Sequence, residues 1–179
     1  MICIPKASVR TLEYRHEGEL PEEIRAAARH GAQRVLHAWV PHGRDHTGPA
    51  MNLLVHHLAH QGFPKTLRER FLHCSEAVSN ALTYGLPSRP VGILLVTQGR
   101  GRFKRCFLLV ENWVNPQMPL GLPPPRRLGG FAQATLLQTH GRGFKLMREH
   151  ADGLSVLLYP NGILQTFVSF LSTPNELQH

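Results

Sequence analysis

Apolar and polar positions divide the chain into a helix-rich first half and a strand-rich second half. Residues 8–14 alternate well enough for an early strand. Leu20-Pro21-Glu22-Glu23 reads as a helix start, with Pro in the first turn and acids at the positive helix end. The helix predicted from there runs to about residue 39 and stops before Pro41. Residues 41–48, rich in Gly, His and Asp, read as a loop, and residues 50–60 as a second helix closed by Gly62 and Pro64. The strongest helical pattern covers residues 66–83, where Leu67, Phe71, Cys74, Val78 and Leu82 step by four, three, four and four to form one apolar face. Thr66 is the expected N-cap, with Glu69 completing a capping box, and Gly85 followed by Pro87 ends the helix.

From residue 91 the character of the sequence changes. Residues 91–97 and 103–111 are strand-like, and Gln98-Gly99-Arg100-Gly101-Arg102 between them can turn a hairpin. Residues 113–130 form a long irregular stretch holding Pro116, Pro119 and Pro123-Pro124-Pro125, of a length that in a compact domain usually serves a function. A further helix is expected over 141–150, then strands over 154–159 and 163–171, joined by the hairpin signal Pro160-Asn161-Gly162. The tail from Ser172 is expected to fray. Hairpin-linked strands with helices to cover them predict a two-layer α/β sandwich: a mixed, mostly antiparallel sheet with helices on one face. The predicted organisation is an N-terminal strand and helix extension over 1–45, one domain over 46–172 and a tail over 173–179.

Composition narrows the class. The 179 residues are 42% apolar, enough for a real core, and carry no low-complexity run. The longest apolar runs fall far short of the ~20 residues of a membrane-spanning helix, and no secretory pattern is read at the N-terminus, so a cytoplasmic protein without a membrane is expected. Cys3, Cys74 and Cys106 are odd in number and widely spaced, which suits reduced thiols acting as small buried hydrophobes. The net charge of +8 suits an acidic partner or nucleic acid, but the basic residues are scattered without aromatic interleaving, so direct nucleic-acid binding is the lesser reading. His56, His57 and His60 fall within about one helical turn; the zinc-protease pattern needs Glu where His57 stands, and a surface cluster is expected.

Three segments carry candidate chemistry. In Ser75-Glu76-Ala77-Val78-Ser79-Asn80-Ala81, Glu76 and Asn80 project from one helix face, offset from the apolar stripe. A carboxylate can take a proton from a hydroxyl, and an amide oxygen can ligate a hard cation such as Mg²⁺. A solvated helix face shows the same spacing. In His140-Gly141-Arg142-Gly143-Phe144-Lys145-Leu146-Met147 a glycine pair opens a helix, where bare backbone can approach a phosphate, or simply form a loop. Asn112, past the apolar run 107–110, offers a donor and an acceptor to a base edge, or merely starts a turn.

Together, in this order, the three segments resemble the histidine-kinase-like ATPases. Glu76-Ala77-Val78-Ser79-Asn80-Ala81 looks like that family's Glu-x-x-x-Asn-Ala box, and Gly141-Arg142-Gly143-Phe144-Lys145-Leu146-Met147, followed by Ala151-Asp152, like its second glycine box. The flavour is most similar to the anti-sigma-factor serine/threonine kinases, and the likeness covers about residues 50–170. It implies ATP and Mg²⁺ as cofactors, with Asn80 binding nucleotide and metal and Glu76 as general base. Gly141, Arg142, Gly143 and Phe144 would lie against the phosphates, and residues 113–130 would form the lid. Arg126, Arg127 and Arg142 would add positive charge. A sigma factor or an anti-sigma antagonist as protein partner, and a homodimer, are likewise implied. The family's first glycine box, Asp-x-Gly-x-Gly, is matched only by Asn112-Trp113-Val114-Asn115-Pro116, where an Asn carbonyl can still accept from the adenine amino group. Two alternatives follow: a degenerate, weakly catalytic module that grips a regulatory protein, and the ATPase part of a two-component histidine kinase.

Overall fold

The computed structural model describes residue 24 and residues 33–100, 103–114, 135–136, 142–159 and 162–172. The predicted strand over 8–14, nearly all of the helix expected from 20, the Pro-rich stretch past Val114 and the tail past Ser172 lie outside these residues. Six strands make one sheet: β1 (Gln33–Val40), β2 (Val91–Arg100), β3 (Phe103–Trp113), β4 (Thr135–Leu136), β5 (Gly153–Leu158) and β6 (Ile163–Leu171). Their spatial order is β1-β2-β3-β6-β5-β4. All pairings among the described strands are antiparallel, which corrects the expected mixed, mostly antiparallel sheet. Four α-helices, α1 (Thr47–His60), α2 (Lys65–Leu72), α3 (Ser75–Tyr84) and α4 (Arg142–His150), pack on one face of this sheet, giving an α/β architecture.

The period of two along each strand sorts its side chains between two cores. Leu36, Ala38 and Val40, Ile93 and Leu95, Leu108 and Val110, and Val168 and Phe170 meet the helices, whose contribution includes Leu54, Leu58, Leu67, Phe71, Val78, Leu82 and Met147. The intervening Leu94, Val96, Phe107, Leu109 and Phe167 form a second buried cluster on the far face together with Ile24. The sheet is thus covered on both faces, and Ile24, a helical residue, is fully buried there.

Four sequence expectations are corrected. Residues 33–40 are strand rather than the end of a long helix: they alternate Leu36, Ala38 and Val40 inward and pair residue for residue with β2. This strand lies inside the segment set apart as an extension, and it is hydrogen-bonded to the sheet along its whole length. The strongest predicted helix is two helices. His73 N–H and Cys74 N–H donate three residues back, to Arg70 and Phe71, and this tight turn separates α2 from α3. All five stripe residues are still fully buried, because the break preserves the phase of the stripe. Thr66 does not cap: Pro64 occupies the N-cap position, the Thr66 hydroxyl is buried without a hydrogen-bond partner, and Glu69 faces Lys65 instead. Ser172 is tied down rather than frayed: its hydroxyl accepts from Lys104 N–H at 2.9 Å, and its N–H donates to Lys104 O at 2.8 Å.

The hairpins are where the turn chemistry places them. Arg100 faces Phe103 across a two-residue β2–β3 loop, and Gly162 takes the positive φ of 88° at the β5–β6 turn. No helix of the described residues is long and apolar enough to cross a membrane.

Candidate functional site

Helix α3 carries Glu76 and Asn80 one turn apart, both half-buried, while Ala77, Val78, Ala81 and Leu82 are buried against the sheet and the neighbouring helices. Helix α4 turns its inward face on the α2–α3 unit with Gly143, Met147 and His150, spaced by four and three. Met147 is fully buried in the helix-side core. Gly143 lies against Glu76: a Cβ there would collide with Cγ and Cδ of Glu76 and stand 2.6 Å from its Oε1. Glycine is the residue that allows this approach, and the first turn of α4, the positive end of that helix, meets the Glu76 side chain. Two of the three motifs, 67 residues apart in the chain, therefore touch.

The other end of α4 is held just as specifically. The rings of His150 and His73 stack with centroids 3.7 Å apart and planes 10° apart. Arg70, on α2, donates from Nε to His150 O at 3.0 Å and from NH2 to Asp152 Oδ2 at 2.9 Å. The same Asp152 oxygen accepts from Leu171 N–H at 2.6 Å, fastening the end of α4 to β6. Asp152 thus acts as a joint between three segments.

Asn112 is buried within β3, not at the start of a turn, and pairs with Leu164 of β6. It faces the helix layer: Gly85, just beyond α3, would place a Cβ 3.4 Å from Asn112 Nδ2, and that nitrogen donates to Trp113 O at 3.3 Å. Asn112 thus packs against the far end of the helix that carries Glu76 and Asn80. Trp113, next along the strand, turns to the opposite sheet face, where it lines a cleft with Glu111. Gly141 and the side chains of Arg142 and Phe144 lie outside the described residues, as do Arg126 and Arg127.

The far face holds a second constellation that sequence reading passed over. Trp39, Arg89, Pro90, Glu111 and Trp113 line a cleft of about 320 Å³. Glu111 is buried and accepts from Gln165 Nε2 at 2.8 Å, while Tyr159 donates to Gln165 Oε1 at 3.0 Å. Strand alternation was the available signal for Glu111 and Trp113, since it puts them on one face, whereas the β3–β6 register brings Gln165 beside Glu111.

Burial pushes the thiols of Cys74 and Cys106 well up, so both stay protonated inside the helix-side core. His56 and His60 meet edge to face at 4.5 Å on the exposed side of α1. Burial first, then Arg34 and His60, lower the pKa of His57. Among the described residues no group of three or more His, Cys, Asp or Glu is placed to hold a metal ion. No protein-family model matches the chain, and no curated protein matches it.

Proposed function

We propose that this chain is an ATP-binding regulatory protein of the histidine-kinase-like type, acting as a serine/threonine kinase on a small antagonist protein. The reading rests on the resemblance of the Glu76–Ala81 and Gly141–Met147 motifs, and one observation carries it: Gly143 packs on Glu76 so closely that no side chain fits between them. The contact brings two motifs that lie far apart in the chain into one place, as a shared site requires.

The donor set suits the implied cofactors. Glu76 and Asn80 offer hard oxygens from one half-buried helix face, and Mg²⁺ takes one or two protein oxygens beside those of a phosphate chain. Asn80 would hold the cation, which when bound neutralises phosphate charge. Glu76 would accept the proton of the attacking hydroxyl as that oxygen takes the γ-phosphoryl group and ADP leaves. The bare backbone at Gly143 and the start of α4 would face the phosphates. Asn112, buried on the same sheet face, would read the base edge through its amide.

Titration with ATP and Mg²⁺ tests this, followed by phosphoryl transfer to a protein substrate. Nucleotide binding at sub-millimolar concentration is expected, weakened about tenfold or more in Asn80→Ala. Glu76→Gln should keep binding and lose turnover by about 10²-fold or more. Absence of binding at millimolar ATP would sink the kinase reading. It would favour a partner-gripping module, for which the loss of both glycines at Trp113-Val114-Asn115-Pro116 speaks. An acid-labile product would instead mark transfer to histidine, as in two-component signalling.

A further inference from the structure

The bare face of Gly143 is already filled. The side on which any other residue would carry its Cβ is taken by Cγ and Cδ of Glu76, with Oε1 2.6 Å from the Cβ position. A methyl group does not fit there, and a phosphate group is larger than a methyl group. A phosphate is also an anion, which the Glu76 carboxylate repels at such a distance. The close approach to phosphate that a glycine permits is therefore shut while Glu76 keeps its place. Neither helix is free to give way. Helix α4 buries Met147 in the helix-side core, and its His150 ring stacks on His73. Arg70 donates to His150 O at 3.0 Å and to Asp152 at 2.9 Å, and Asp152 accepts from Leu171 N–H of β6. Helix α3 buries Ala77, Val78, Ala81 and Leu82. Glu76 itself is only half-buried and carries its carboxylate on a flexible stem, so the side chain is the part that moves.

We propose, resting on the nucleotide reading of Glu76, Asn80 and the start of α4, that Glu76 closes the phosphate position of its own site in the nucleotide-free protein. The incoming phosphates open the site by displacing this side chain from Gly143. Glu76 then acts in two ways in turn. Packed on Gly143, it excludes phosphate; displaced, it is released to take the proton of the attacking hydroxyl. The base is thereby set in place only by the bound phosphates, an induced-fit order that withholds the chemistry until the substrate is seated. The device lowers affinity. The apparent dissociation constant is the intrinsic one divided by the fraction of molecules in which Glu76 stands aside. The attraction between a half-buried carboxylate and the positive first turn of a helix makes that fraction about one in ten.

Calorimetric titration of the full chain with ADP and Mg²⁺, and separately with adenosine, tests this. Glu76→Ala removes the obstructing atoms and should bind ADP about tenfold more tightly than the unmodified protein. Adenosine has no phosphate to meet Glu76 and should bind both proteins equally. Glu76→Gln keeps the packed shape and loses the charge, so it guards against a poorly folded alanine variant; its gain for ADP should be smaller, about threefold. A general loosening of the fold would not favour ADP over adenosine, so an equal gain for both ligands overturns the proposal. ADP binding by the unmodified protein with no gain in either variant also overturns it and leaves the nucleotide reading standing. No binding of ADP or ATP by any of the three proteins at millimolar concentration overturns both together.

Discussion

Gly143 has a sequence rationale and a structural one, and they differ. In the sequence it is a glycine before a helix, free to approach a phosphate. In the fold its nearest neighbour is the Glu76 side chain. Gly143→Ala should cost about 1–3 kcal/mol, because the methyl group displaces a half-buried side chain between two packed helices. Urea denaturation measures this, and adding Glu76→Ala should recover most of the loss by removing the colliding atoms. A double mutant as unstable as the sum of the singles would place the strain elsewhere. His57 makes a pH-dependent contribution of definite sign. Its pKa is lowered in the fold, so the unfolded chain takes up a proton there more readily. That contribution is intact above the ordinary value of 6.5 and is lost as pH falls below it towards the lowered folded value. Tm should fall on acidification through that window, and His57→Gln should fall less over the same interval.

At the scale of elements, local capping ends α1, and partners distant in sequence then secure the ends of α1 and α4. Helix α1 closes in a Schellman motif: Gly62 N–H donates to Ala59 O at 2.9 Å and Phe63 N–H to Leu58 O at 3.0 Å, with Gly62 at φ 68°. Lys104 of β3 then donates to the carbonyls of Gln61 and Gly62 and lies 5.4 Å from the Phe63 ring centroid. Gly62→Ala should cost about 1–2 kcal/mol from the left-handed backbone, seen as a lower urea midpoint with an unchanged slope. The far end of α4 depends on Arg70. Arg70→Ala removes donors to His150 O and to Asp152, and Asp152→Asn weakens the same joint. A double-mutant cycle between them should show a positive coupling of about 0.5–1 kcal/mol, modest because Asp152 is partly exposed. Zero coupling would mean that the joint is held by the backbone alone.

At the scale of the molecule, the sheet has two buried faces, and Ile24 is part of the second. Ile24→Ala should cost about 2–5 kcal/mol, as for other fully buried aliphatic side chains, and a loss below about 1 kcal/mol would show that this face is stable without it. The apolar strand-like runs located β2, β3, β5 and β6 in advance, and Pro160-Asn161-Gly162 located one of their turns, because short apolar runs and turn chemistry are local properties. The apolar stripe from Leu67 to Leu82 likewise identified five buried residues. The same stripe said nothing of the break after Leu72, since no Gly or Pro marks it and the stripe keeps its phase across the turn. Strand β1 read as helix because a helix start lay upstream with no proline before Pro41; its pairing with β2, some sixty residues away, outweighs that local preference. The motifs around Glu76, Asn112 and Gly143 could be read singly in the sequence, residue type by residue type. Only the tertiary structure decided that Gly143 meets Glu76, that Asn112 shares their face of the sheet and that Gln165 lies beside Glu111. Contacts between segments so far apart depend on how sheet and helices pack, and no local pattern encodes that.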